Sequence, residues 1–162
     1  MLQLLRRISD GEDQMLIRPT LEHLDQLVDI AKEYHLVSRF KDSNQLSDDA
    51  MRKWLETIIP RPQVFFEVLE IDGKIHGGII GAIEQQPWNT KNTGVIPFIF
   101  LDECCRGRGY AEQMIENAKA WGKANNCYEI ITSDYAIDPG RTAKWYESIG
   151  FENVGVTYAI KI

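Results

Sequence analysis

The residues whose spacing carries most chemistry are Arg106-Gly107-Arg108-Gly109-Tyr110-Ala111. An apolar run, Phe98-Ile99-Phe100-Leu101, stands before them. Behind them Ala111, Met114, Ile115, Ala118 and Trp121 recur at helical spacing,. A strand that runs out into a glycine turn and straight into a helix gathers unpaired backbone N–H groups and the positive end of the helix dipole in one small space. Such a space holds a phosphate or a pyrophosphate. Gly107 and Gly109 allow close backbone approach, and Arg106 and Arg108 add positive charge at the rim,. No Lys-Ser/Thr pair follows the glycines and the three-glycine dinucleotide spacing is missing, so neither a nucleoside-triphosphate loop nor a dinucleotide fingerprint is indicated,. A solvated turn with two ordinary arginines is the bland alternative. The strand–turn–helix context favours the phosphate.

The rest of the chain reads as a frame for this turn. Met15 to Arg18 is a short strand stopped by Pro19, and Thr20 caps a helix with Leu24, Leu27, Val28 and Ala31 on one face,. Ser47, backed by Asp48 and Asp49, opens a second helix with the stripe Met51, Trp54, Leu55 and Ile58, ended by Pro60 and Pro62,. Val64 to Ile71, the turn Asp72-Gly73 and Lys74 to Ile83 form a hairpin,. Gly77, Gly78 and Gly81 weaken its return strand and mark close approach by a ligand or another backbone,. Val95 to Leu101 is a buried strand in which Pro97 predicts a bulge or an unpaired stretch,. Tyr128 to Ser133 is a further strand, Asp138-Pro139 starts a last helix stopped by Gly150, and a closing strand covers about Asn153 to Ile162,. This order predicts an α/β fold of layered α+β type, with helices over a mixed, largely antiparallel sheet.

A chain of 162 residues suits one domain,. The 44% hydrophobic and 26% charged content is that of a soluble globular protein, and no apolar run reaches the ~20 residues of a membrane span,. A net charge of −6 speaks against nucleic acid or an anionic membrane as partner,. Met1 to Ile8 makes a poor signal peptide, and three cysteines without a CxxC spacing fit a reduced, cytoplasmic setting,. The adjacent pair Cys104-Cys105 matches no metal or redox signature, so both read as structural, with one open to alkylation,. Met15 is a natural start for the fold, so residues 15–162 read as the domain and residues 1–14 as an extension or a misassigned start.

Arg106-x-x-Gly109-x-Ala111 resembles the Q/R-x-x-G-x-G/A signature of the GCN5-related N-acetyltransferases, the GNAT family. Trp145-Tyr146-Glu147-Ser148-Ile149-Gly150-Phe151 resembles that family's second signature, and Leu16-Ile17-Arg18-Pro19-Thr20 its usual opening. The resemblance spans about residues 15 to 162 and implies a sheet splayed between its fourth and fifth strands. It also implies acetyl-CoA as co-substrate, with no metal. The strand ending in Phe100 and Leu101 would then offer backbone groups to the pantetheine arm. The N–H groups of Arg106, Gly107, Arg108, Gly109, Tyr110 and Ala111 would cradle the pyrophosphate. A backbone N–H near Leu101 would polarise the acetyl carbonyl. Tyr146 would protonate the departing thiolate, the amine attacking directly.

The family often draws its general base from an acid on the fourth strand, but Val95 to Leu101 contains none. Glu84 and Asp134, at the ends of neighbouring strands, are the replacements to consider; exposed strand-end acids are the bland alternative. Tyr34 and His35 would line the acceptor site. Pro139 stands where many members carry a cofactor-contacting asparagine, Glu103 stands where a proline is usual, and one closing strand replaces two. The expected acceptor is a primary amine, small or carried on a protein, with room for a homodimer. The alternative is an inactive member that keeps the fold and binds coenzyme A without turnover.

Overall fold

A computed structural model describes residues 14–42, 46–136, 139–155 and 160. Its elements are β1 (Gln14–Ile17), α1 (Leu24–Val37), α2 (Asp48–Ile58), β2 (Phe65–Ile71), β3 (Lys74–Gln85), β4 (Asn92–Leu101), α3 (Tyr110–Ala124), β5 (Cys127–Thr132) and α4 (Pro139–Ser148). The strands form one five-stranded sheet in sequence order. All neighbours are antiparallel except β4 and β5, which run parallel through the crossover helix α3,. This is the mixed, largely antiparallel sheet that the sequence predicts. No helix among the described residues is long and apolar enough to cross a membrane.

Local signals set most of the boundaries. Asp72 and Gly73 take φ of 50° and 77°, the left-handed pair that a two-residue hairpin turn requires,. Ser47 Oγ accepts from the Ala50 N–H at 3.3 Å and caps α2,. Arg18, just past β1, donates to the carbonyls of Ile59, Arg61 and Val64 and ties down the link from α2 to β2. Gln14, assigned to the extension by sequence, is the first residue of β1 and pairs with Ile71.

Pro97 produces the bulge expected of it. Along β4 the partners run Phe98↔Ile80 and then Val95↔Ala82, which leaves two residues of β4, Ile96 and Pro97, against one of β3, Gly81,. Pairing with β5 stops at the same place, the last partners being Ile96↔Thr132. Beyond it the 97–101 edge of β4 faces no strand among the described residues. The sheet is open between β4 and β5, the predicted splay.

Each face of the sheet has its own core. Leu27, Val28 and Leu55 of α1 and α2 pack on Phe66, Val68 and Ile80. Met114, Ile115 and Ala118 of α3 pack on Leu69, Ile79 and Ile96 on the other face. The glycines of β3 answer to protein, not to ligand. A Cβ on Gly77 would lie 2.2 Å from the Phe100 carbonyl oxygen and one on Gly78 2.7 Å from that of Glu67, both backbone atoms. One on Gly81 would meet the Trp121 ring at 3.2 Å. Two expectations need correction. Trp54 lies on the α2 stripe yet is 44% exposed, because its ring sits at the rim of a cavity and not inside the core. Residues 153–155, assigned to a closing strand, have no regular structure; most of that expected strand lies outside the described residues, as does Asp138.

Candidate active site

The glycine turn lies beside the open end of the splay. Gly107 and Gly109 take φ of 72° and 85°, a region costly for residues with a Cβ,. A Cβ built on either would have nothing within 4 Å, so both face open space. Gly109 is the N-cap of α3, and its carbonyl accepts the first helical bond, from Gln113 N–H at 3.0 Å. The N–H groups ahead of that bond, through Tyr110 and Ala111, have no helical acceptor. They line a cradle of a kind suited to an anion, with its electrostatics supplied by the backbone.

Side chains around the cradle are largely occupied. Arg106 Nε donates to the Leu101 carbonyl at 2.9 Å and its guanidinium lies 5.6 Å from the centre of the Phe100 ring. Arg106 therefore pins the turn to the end of β4. Arg108 is exposed at the rim. The Tyr110 phenol donates to Gln14 Oε1, which ties the first turn of α3 to β1 and leaves only the Tyr110 backbone facing the cradle. Asp102 N–H donates to the His76 carbonyl at 2.8 Å, and Asp102 Oδ2 lies 2.8 Å from His76 Nδ1. Cys105 is buried and Cys104 exposed, and burial pushes the Cys105 thiol up to about 11, with Cys104 adding to the rise. Sequence spacing gave no reason to single out His76. Only the β3–β4 pairing brings it to this corner.

Tyr146 is set by the way α4 ends. Phe151 N–H donates to the Tyr146 carbonyl at 3.0 Å and Gly150 N–H to that of Glu147 at 3.1 Å, with Gly150 at φ 93°. This is a Schellman cap, and the Tyr146 and Phe151 rings make its apolar contact at 5.2 Å,. The motif Tyr-Glu-x-x-Gly-Phe thus spells a helix terminus that holds the tyrosine ring in place. Trp145 Nε1 donates to Glu112 Oε1 at 2.9 Å and braces α4 against the first turn of α3. The Tyr146 side chain is buried, and its hydroxyl lies 3.3 Å from Thr132 Oγ1. Thr132 spends its own proton on the Ile96 carbonyl at 3.0 Å, so Tyr146 is the donor in their contact. Burial raises the phenol above its ordinary pKa; the Thr132 contact opposes this and Asp134 adds to it,.

Tyr34 and Asp134 approach the same point. Tyr34 is pushed up to about 12, by burial first and then by Tyr146, Tyr135 and Asp134. Its ring stacks edge-on to Phe98 at 4.7 Å. Asp134 Oδ1 accepts the Ala136 N–H at 3.0 Å, which fixes the carboxylate just beyond β5. Arg39 N–H donates to the Tyr135 carbonyl at 2.8 Å and ties the end of α1 to this turn. The structure therefore brings Tyr146, Thr132, Asp134 and Tyr34 together. Glu84 is elsewhere: it pairs with Thr93, two positions past the β4 bulge, and is exposed. Tyr34 and His35 line an apolar cavity of about 330 Å³ between α1, α2 and the sheet, with Trp54, Phe66, Pro97 and Phe98. Thr132 and Tyr34 are the contributions that sequence alone left out or underweighted.

The structure superposes on known folds over nearly its whole length. A putative acetyltransferase from Agrobacterium tumefaciens str. C58 matches with a TM-score of 0.72 at 20% identity, over 91% of this chain and 99% of the other. The aminoglycoside N-acetyltransferase AAC(6')-Iy, solved in complex with CoA, matches with a TM-score of 0.74 at 18% identity, over 96% and 99%. Glucosamine-6-phosphate N-acetyltransferase from Arabidopsis thaliana matches with a TM-score of 0.72 at 16% identity, over 91% and 97%. A search of the curated proteins gives no match. The sequence from residue 24 to 151, which runs from the start of α1 through the Schellman cap, matches the acetyltransferase (GNAT) family, and to that family the chain belongs.

Proposed function

We propose that the protein transfers an acetyl group from acetyl-CoA to a primary amine by direct attack. The observation that carries this reading is the convergence of three features: a strand edge at 97–101 without a partner among the described residues, a glycine turn at its exit, and a buried tyrosine hydroxyl beside the splay. The unpaired edge of β4, ending in Phe100 and Leu101, takes the pantetheine arm as a sheet takes an added strand. The cradle from Arg106 to Ala111 takes the pyrophosphate.

In this reading Asp134 receives a proton from the ammonium form of the acceptor, directly or through water. The free amine attacks the thioester carbonyl. The tetrahedral adduct collapses with cleavage of the C–S bond as Tyr146 gives its proton to the leaving sulfur, and the proton shed by the amide nitrogen passes through water to restore the phenol. The local network suits a neutral phenol, since a phenolate would have to draw the Thr132 proton away from Ile96. Asp134 is preferred to Glu84 as base because it influences both Tyr34 and Tyr146, whereas Glu84 is exposed at the far end of β3.

The acceptor's body occupies the cavity lined by Tyr34, Trp54 and Phe98. Among the described residues that lining contains no acid, which disfavours polycations and favours a monoamine with an apolar body,. An amine library with acetyl-CoA, read by release of free thiol, tests both levels. Turnover of arylalkyl amines or apolar peptide N-termini ahead of polyamines and aminoglycosides is the expected result. Preference for polycations would move the acceptor out of this cavity. Coenzyme binding with no turnover of any amine would establish the inactive alternative.

A further inference from the structure

One group of side chains at the exit of β4 has no part in acetyl transfer. The short 3₁₀ turn Glu103–Cys105 lays its two thiols against His76. A ring nitrogen of His76 and the sulfurs of Cys104 and Cys105 all lie within 4.8 Å of one another. The two sulfurs are 3.6 Å apart. We propose that His76, Cys104 and Cys105 bind a thiophilic divalent cation of the zinc type, with Asp102 as the carboxylate that orients the histidine.

The donor set is the first argument. Two thiolates and one imidazole form a soft set of the kind zinc prefers over the hard divalent cations. Spacing is the second. Tetrahedral zinc with Zn–S bonds of ~2.3 Å holds two sulfurs about 3.8 Å apart, close to the separation found here. A Zn–N bond of ~2.0–2.1 Å sets the nitrogen about 3.6 Å from each sulfur, so the ring and thiols need close by only about 1 Å. Orientation is the third. Asp102 holds Nδ1 at 2.8 Å and both partners are only 16% exposed, which leaves Nε2 as the nitrogen for the metal,. Access is available, since Cys104 is exposed while Cys105 is buried beneath it. A bound cation would clamp the exit of β4 to β3 one residue ahead of Arg106, where the cradle begins.

Cobalt(II) is the probe, added to untagged, reduced, metal-free protein. We expect one equivalent to give thiolate-to-cobalt charge transfer and the visible bands of a tetrahedral site, both erased by one equivalent of zinc. Cys104→Ser and Cys105→Ser should each remove most of the charge-transfer intensity. His76→Gln should weaken affinity at least about ten-fold and Asp102→Asn by about 10–100-fold, the usual cost of losing the partner of a ligand histidine. Cys127→Ser, on β5, should change nothing. Circular dichroism checks each fold, and if Cys105→Ser does not fold, the exposed Cys104→Ser carries the thiol test. Absence of charge transfer at stoichiometric cobalt would overturn the proposal. So would a band whose affinity is unchanged in both His76→Gln and Asp102→Asn, since the thiols alone would then be capturing metal. No acyl donor enters the experiment, so its outcome is independent of the acetyl-transfer reading.

Discussion

The phenol of Tyr146 is held by contacts of three kinds: the Schellman cap fixes its backbone, Phe151 and Trp145 enclose its ring, and Thr132 receives its proton. Together they leave one degree of freedom, the rotation of the hydroxyl proton away from Thr132. Tyr146→Phe removes only that proton and keeps the ring packing. It should lower kcat by about ten-fold or more, within the ~10²–10⁴-fold range of general acid catalysis, and shift coenzyme affinity by less than about three-fold. Steady-state kinetics with the best amine from the screen, paired with calorimetric titration of acetyl-CoA, separates the two numbers. A wild-type kcat would reduce Tyr146 to a packing residue. Lost affinity would set its hydroxyl against the coenzyme instead.

Among the elements, the strand–turn–helix unit from β4 to α3 makes the sharpest prediction. Gly109→Val places a β-branched side chain at φ 85°, which should cost about 1–3 kcal/mol of stability,. Its methyl groups would enter the open space above the turn and should weaken acetyl-CoA binding by about ten-fold or more,. A folded variant with unchanged affinity would put the phosphates elsewhere. The joint of β2 with α3 makes a second prediction. Asn117 donates to both oxygens of Glu67, at 2.9 and 3.0 Å, yet burial dominates and raises the carboxyl to about 7. An acid with a raised native pKa favours the fold while protonated. That advantage is lost as pH climbs from the unfolded value, about 4.3, through 7. Glu67→Gln should therefore match the parent near pH 4 and be more stable near pH 8, by on the order of 1–3 kcal/mol or several degrees in Tm. Thermal melts across that range decide it, and equal Tm at pH 8 would mean that Glu67 ionises without penalty.

The elements also show which structure can be read from sequence. The Asp72-Gly73 hairpin, the Ser47 cap, the Pro97 bulge and the Gly150 stop depend on backbone preferences within a few residues, and each was legible. The left-handed backbone of the turn at Gly107 and Gly109, at the start of α3, was legible for the same reason. His76 meeting Asp102, 26 residues away, was not, because strand register alone creates the contact. Nor could the sequence rank Glu84 against Asp134. Glu84 lies near the end of β3 and Asp134 just past β5, and only the folded sheet shows that Asp134 shares a lining with Tyr146. Trp54 followed its helical stripe correctly, but periodicity does not say how far a core extends.

For the molecule as a whole, the proposed ligand spans the edge of β4, the start of α3 and the tip of α4. Acetyl-CoA should raise the Tm, since a ligand bound only to the native state stabilises by RT ln(1 + [L]/Kd), about 2.7 kcal/mol at a hundred times Kd. Differential scanning fluorimetry across a coenzyme series, with calorimetry beside it, checks this. No shift and no heat at millimolar coenzyme would remove the acyl donor from the account. The interrupted ladder at Ile96 has a further consequence, one of colony and flask more than of chemistry. Phe98-Ile99-Phe100-Leu101 is an apolar segment of high strand propensity with one edge unclaimed among the described residues, the kind of template on which chains recruit one another into aggregates,. A donor lying along that edge would act as its guard. Starved of coenzyme, the protein should be sticky as well as idle, and its solubility during expression would then follow the cell's acyl-CoA supply.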